Sequence, residues 1–194
     1  MQHALIPILG FAAASGTGKT TLLTALIPLL KQRGLRIGLI KHSHHSFQID
    51  QPGKDSFRLR EAGASPVMLV STHRRAIITE IEPEREPRLD DELQHFGQAG
   101  LDLILVEGFK AERFPKIELH RQSLQQALLY PGDPDIIAVA SDSLLAVPDH
   151  VTLLDINQPE MIAGFILARF ITVEPTGAEW AVAMATPPPV GGSA

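Results

Sequence analysis

The 194-residue chain contains no cysteine, which excludes disulfide bonds, thiolate metal sites and a cysteine nucleophile. It has no apolar run of the ~20 residues that a membrane-crossing helix needs. Its first residues also lack a charged segment followed by a cleavable apolar stretch, the mark of a secretory signal. A soluble, cytoplasmic protein is the expectation. Positive charge is in deficit: 17 Lys and Arg stand against 22 Asp and Glu, a net −5, which argues against general nucleic-acid binding. No internal repeat is present. Hydrophobic residues make up 44%, and at this length the chain can bury the core of one domain. The charge is unevenly placed: nine Lys and Arg against three Asp and Glu lie between Lys31 and Arg75, a basic segment suited to anionic ligands.

One stretch stands out, Ala13-Ala-Ser-Gly-Thr-Gly-Lys-Thr20. It spells Ala13-x-x-x-x-Gly18-Lys19-Thr20, the phosphate-binding loop (P-loop) with Ala in place of its first Gly. Leu5 to Phe11 before it is apolar enough for a buried strand. After it, Leu22, Leu23, Leu26, Ile27 and Leu30 recur at helical spacing. In that context Gly16 and Gly18 let the backbone form a cradle of N–H groups around one phosphate, and the helix N-terminus adds its positive dipole end. Lys19 supplies charge for the β- and γ-phosphates, and the Thr20 hydroxyl is a Mg²⁺ ligand. The loop binds a nucleotide.

The helix is expected from Lys19 to about Arg33, kinked at Pro28 and stopped at Gly34. Arg36 to Lys41 reads as a buried strand, which makes a right-handed parallel βαβ unit. The next segment, from Lys41 past His42, His44 and His45, leaves the end of a strand where open α/β sheets hold their ligands. It is expected to close over phosphates or a second substrate. His44 and His45 are adjacent and would point apart on a strand, and no second cluster at ligand spacing follows, which argues against a metal there. A short helix capped by Asp55 or Ser56 then runs through Glu61 to Gly63. Pro66–Ser71 and Ala76–Ile81 read as a hairpin, and Leu89 to about Gln98 as a helix. Lys116–His120, Asp135–Asp142 and Val151–Ile156 read as strands, and Pro159 to about Ile171 as a closing helix.

Leu101-Asp-Leu-Ile-Leu-Val-Glu-Gly108 carries the second chemical signature, a buried strand ending in an acid. Glu107 and Asp102 compete for the magnesium side of a bound nucleotide. Five residues at ~3.3 Å put them roughly 16 Å apart. Because the P-loop follows the C-terminal end of its own strand, the C-terminal acid of a parallel neighbour is in reach. Glu107 is selected.

Phe11-Ala-Ala-Ala-Ser-Gly-Thr-Gly-Lys-Thr-Thr21, Gly38-Leu-Ile-Lys-His-Ser-His-His45, Pro52-Gly-Lys-Asp-Ser56, Asp102-Leu-Ile-Leu-Val-Glu-Gly-Phe-Lys110 and Ile137-Ala-Val-Ala-Ser-Asp142 together resemble the molybdopterin-guanine dinucleotide biosynthesis adapter (MobB) family, over about Leu5 to Phe170. That resemblance implies a GTP-binding adapter with weak GTPase activity, using GTP and Mg²⁺ and assembled as a homodimer. It implies assistance to molybdopterin guanylyltransferase and handling of molybdopterin or its guanine dinucleotide, with neither nucleic acid nor membrane as partner. Ser15, Gly16, Thr17, Gly18, Lys19, Thr20 and Thr21 fall on the phosphates, with Lys19 as the catalytic residue. Pro52, Gly53, Lys54 and Asp55 fall in a second nucleotide-side loop, Thr20 and Glu107 at the metal, and Lys41, His42, His44 and His45 on the switch or pterin side.

Two other classes share the loop. A small-molecule kinase would need a general base and a mobile Arg-rich lid, for which Arg74, Arg75 and Arg113 are candidates in no lid pattern. A metallochaperone GTPase would use the His42, His44 and His45 cluster. Nothing spells Asn-Lys-x-Asp, the usual reader of guanine. Asp142, however, ends a strand where that signature has its Asp, and could accept from guanine N1–H and the 2-amino group; the alternative is a turn cap. The expected fold is a three-layer α/β P-loop NTPase domain with a mostly parallel central sheet over residues 1–173, followed by a low-complexity tail, 174–194.

Overall fold

The computed structural model describes residues 1–43 and 47–171; His44, His45 and the expected tail lie outside the described residues. In chain order the elements are β1 (Ile8–Ala12), α1 (Lys19–Gln32), β2 (Ile37–Lys41), α2 (Asp55–Glu61), β3 (Val67–Val70), β4 (Arg75–Ile78), α3 (Leu89–His95), β5 (Leu103–Glu107), β6 (Lys116–His120), β7 (Ile136–Ser141), β8 (Thr152–Asp155) and α4 (Pro159–Phe170). Six strands form one sheet in the order β2-β5-β1-β6-β7-β8. Every pairing in it is parallel.

A parallel sheet is covered on both faces, so β1, β5 and β7 are apolar without alternation. β1 is buried at all five positions. Leu103 and Leu105 of β5 join Leu9, Phe11 and the Leu22, Leu23, Leu26 and Leu30 stripe of α1, together with Ile162 and Ile166 of α4. Ile104 and Val106 point the other way, into a core with Ile8, Leu89 and Leu93 of α3, Phe109 and Phe114. Two layers of helix thus enclose the sheet, as expected. β3 and β4 pair antiparallel as a separate hairpin, tied to α2 by the Arg60–Glu80 ion pair at 2.8 Å. Among the described residues no helix is long and apolar enough to cross a membrane.

Helix ends follow local chemistry. After α1, Gly34 N–H donates to the Lys31 carbonyl at 2.9 Å and Leu35 N–H to that of Leu30 at 3.2 Å, the paired bonds of a Schellman stop. Pro28 lies inside α1 without dividing it. Three expectations are corrected. α3 ends at His95 rather than near Gln98, because the buried Gln98 carboxamide is needed elsewhere. Its Nε2 donates to the carbonyls of His3 (2.7 Å) and Leu93 (2.9 Å), and its Oε1 accepts from Leu5 N–H at 2.8 Å. The residue before α2 is Lys54, with no side-chain cap; the Ser56 hydroxyl instead donates to Asp50 Oδ1 at 2.9 Å. The second hairpin strand ends at Ile78 rather than Ile81.

Candidate functional site

Because all six strands run the same way, their C-terminal ends share one edge of the sheet. The loop between β1 and α1 lies there. Gly16 has φ 78° and Gly18 φ 97°, values a side chain resists; the turn that points N–H groups inward depends on both. Ser15, Gly16, Thr20 and Thr21 are exposed, whereas Thr17 is buried, its hydroxyl donating to the Ala14 carbonyl at 2.9 Å. Lys19 Nζ donates to the loop's own carbonyls, those of Ala13 at 3.3 Å and Ala14 at 3.1 Å. Burial lowers the Lys19 pKa; Lys110 and Lys41 lower it further, while Glu107 opposes them. Lys19, Lys41, Lys110 and Glu107 are therefore electrostatic neighbours.

The strand register decides between the two acids. Phe11 of β1 lies opposite Glu107, and so does Lys41 of β2, so Glu107 stands between two strand ends at the loop edge. Its carboxylate is 3.2 Å from Lys41 Nζ. Asp102 lies at the opposite end of β5, clamped to Arg36 by the backbone N–H at 2.7 Å, Nε at 3.0 Å and a terminal nitrogen at 2.9 Å.

Asp142 follows β7 at the loop edge. Its Oδ1 accepts from Gln122 N–H at 2.9 Å, and its Oδ2 is 3.5 Å from Arg121. The Gln122 bond, followed by Arg121, lowers its pKa. Asp142 thus does hold the start of a turn, although that turn follows β6 rather than its own strand. Arg121 belongs to no motif in the sequence, yet it reaches the loop. Its Nε donates to the Thr17 carbonyl at 3.1 Å, and a terminal nitrogen also reaches Asn157 Oδ1 at 3.4 Å. Arg121 therefore joins the phosphate loop to the loops after β7 and β8. The available signal was a basic residue directly after a strand that neighbours β1.

Pro52, Gly53, Lys54 and Asp55 are all exposed, and among the described residues no hydrogen bond or ion pair ties them to the phosphate loop. His42 N–H donates to the Glu107 carbonyl at 2.8 Å. Its ring stacks on Phe109 with centroids 4.7 Å apart, and its Nε2 is 3.7 Å from Glu86. Among the described residues no three His, Asp or Glu side chains gather as a metal cluster.

Comparison with known proteins places this geometry. Residues 8–142 match the family described as molybdopterin guanine dinucleotide synthesis protein B. The molybdopterin-guanine dinucleotide biosynthesis adapter protein of Escherichia coli (strain K12) is 49% identical over 166 residues, 84% of this chain and 93% of that protein. The protein of the same name from Haemophilus influenzae (strain ATCC 51907 / DSM 11121 / KW20 / Rd) is 49% identical over 162 residues, 83% and 88% of the two chains. A crystal structure of molybdopterin-guanine biosynthesis protein B superimposes with a TM-score of 0.64 at 27% identity, over 83% of this chain and 98% of that one.

Proposed function

Because the chain belongs to the molybdopterin guanine dinucleotide synthesis protein B family, and its phosphate loop, Glu107 and Asp142 share one sheet edge, we propose that it is a GTP-binding adapter for molybdopterin guanine dinucleotide synthesis, with weak GTPase activity. The observation that carries this reading is the register that sets Phe11, just before the loop, opposite Glu107. The cradle at Gly16–Gly18 takes a phosphate; on binding, Lys19 exchanges the carbonyls of Ala13 and Ala14 for the β- and γ-phosphates, where its charge stabilises the transferring group. Thr20 and Glu107 fit a magnesium ion, since the Glu107 carboxylate already draws a cation, Lys41. Bound there, Mg²⁺ would neutralise phosphate charge. Each Asp142 oxygen keeps a lone pair beyond its present contact, so it retains capacity for the N1–H and 2-amino donors of guanine.

The partner is a molybdopterin guanylyltransferase, with the pterin on the Lys41 and His42 side. A homodimer is supported by the hairpin, whose outward face carries Met68, Val70 and Ile77, all more than half exposed. The test is calorimetric titration with GTP and ATP. Lys19→Ala is expected to lose at least tenfold in GTP affinity, about 1.4 kcal/mol, with its fold intact; unchanged affinity would refute the nucleotide site. In a pull-down with a non-hydrolysable GTP analogue, the guanylyltransferase is expected in the bound fraction.

A further inference from the structure

Guanine presents more than Asp142 can read. A carboxylate accepts from N1–H and the 2-amino group, but the adjoining O6 is itself an acceptor and needs a donor from the protein. That donor has to stand beside Asp142, within a nucleotide's length of the phosphate loop.

The strand register shows which residue stands there. Ser141 of β7 lies opposite Asp155 of β8. Past that pair, Ile156 N–H still donates to the Ser141 carbonyl at 3.1 Å. Asp142 and Asn157 therefore leave two adjoining strand ends side by side. The Asp155 carboxylate fixes the turn that carries Asn157. Its Oδ1 accepts from Asn157 N–H at 2.8 Å and its Oδ2 from Gln158 Nε2 at 3.0 Å. The bond from Asn157 N–H is the main cause that lowers the Asp155 pKa.

Arg121 gathers the pieces. Its Nε donates to the Thr17 carbonyl at 3.1 Å, while one terminal nitrogen lies 3.5 Å from Asp142 Oδ2 and 3.4 Å from Asn157 Oδ1. A single guanidinium thus faces the phosphate loop and both side chains. Asn157 is exposed, and its oxygen is the atom turned to Arg121. An amide nitrogen carries two N–H donors, so the contact of this side chain with Asp155 leaves one for a ligand. The nearby Ser141 and Ser143 hydroxyls are engaged with each other at 3.2 Å.

We propose that Asn157 is the second base-reading residue. Its side-chain N–H donates to guanine O6 while Asp142 accepts from N1–H and the 2-amino group. Arg121 is the positioning residue that holds the two in place beside the phosphate loop. The assignment rests on the GTP-binding reading above, and it explains how adenine is refused at position 6, where its amino group would set a donor against a donor.

The test is calorimetric titration of the full chain with GTP, inosine triphosphate (which lacks the 2-amino group), 2-aminopurine riboside triphosphate (which lacks O6) and ATP. Asn157→Ala is expected to weaken GTP and inosine triphosphate about fivefold or more, the share of one hydrogen bond. The two nucleotides without O6 should stay within about twofold of wild type, on the same count of bonds. Asn157→Asp, which turns the donor into an acceptor, should lower the ratio of GTP to ATP affinity further than Asn157→Ala does. Unchanged GTP affinity in Asn157→Ala would overturn the assignment. Equal weakening of all the nucleotides would also overturn it, since Asn157 would then serve only the turn. Either result, with a wild type that prefers GTP to ATP, leaves the nucleotide site standing. A wild type that binds GTP and ATP alike would remove base reading from Asn157 and Asp142 together, and one that binds no nucleotide would overturn the GTP site as well.

Discussion

Asp142 and Asp102 show how one residue type is put to opposite uses. Asp142 keeps spare acceptor capacity at the loop edge, and under the proposed function that capacity reads the base. Adenine lacks the N1–H and 2-amino donor pair, so its occupancy would forgo both of the bonds that guanine can add to the Gln122 and Arg121 contacts. Asp142→Asn, which gains a donor suited to the 2-oxo group of xanthine, is expected to lose GTP affinity and gain xanthosine triphosphate; an unchanged preference would place base selection elsewhere. Asp102 is fully committed. Bonds from the Arg36 side chain first, then its backbone N–H, hold the carboxyl at about 2 against an ordinary 3.8. Its folded pKa is the lower one, so the ionised form stabilises the fold above the ordinary value, and that contribution is lost as pH falls toward about 2. Asp102→Asn should therefore melt below wild type at neutral pH, with the gap closing between about pH 4 and pH 2. A gap independent of pH would contradict the clamp.

At the scale of elements, two glycines predict opposite outcomes. Gly108 follows β5 at φ 105° against His42, so Gly108→Ala adds left-handed strain to an overpacked contact and should cost about 2–4 kcal/mol in chemical denaturation. Gly164 lies within α4 with nothing near its missing Cβ; Gly164→Ala should stabilise by about 0.5–1 kcal/mol. The same local logic governs what could be read from the chain. β1, β5 and β7 were legible because burial on both faces leaves an apolar run that ends at a polar residue. The phosphate loop was legible because its chemistry is contiguous. α3 was overrun because the Gln98 side chain serves the N-terminal segment, a partnership that no helical period encodes. Arg121 and Lys110 were missed for a related reason. Arg121 meets Thr17 across 104 residues of chain, so only the sheet order makes it part of the site.

At the scale of the molecule, the hairpin is the part whose apolar surface exceeds its own needs. Met68 and Ile77 are paired across β3 and β4 and both face outward. If that face joins two copies, Ile77→Lys should shift sedimentation from dimer to monomer without altering GTP affinity per chain; an unchanged mass would remove the hairpin from the interface. The order of the central sheet has a consequence for how the protein comes to exist. β1 and β2 are consecutive in the chain, yet β5 lies between them, and Ile8 waits for Ile104 as its partner. No strand of the central sheet can pair before β5 has been synthesised, and the other side of β1 stays bare until β6 follows. Such distant pairings are slow to close. The residues of the phosphate-loop motif are therefore among the first to leave the ribosome and wait for most of the chain before both neighbouring strands are in place.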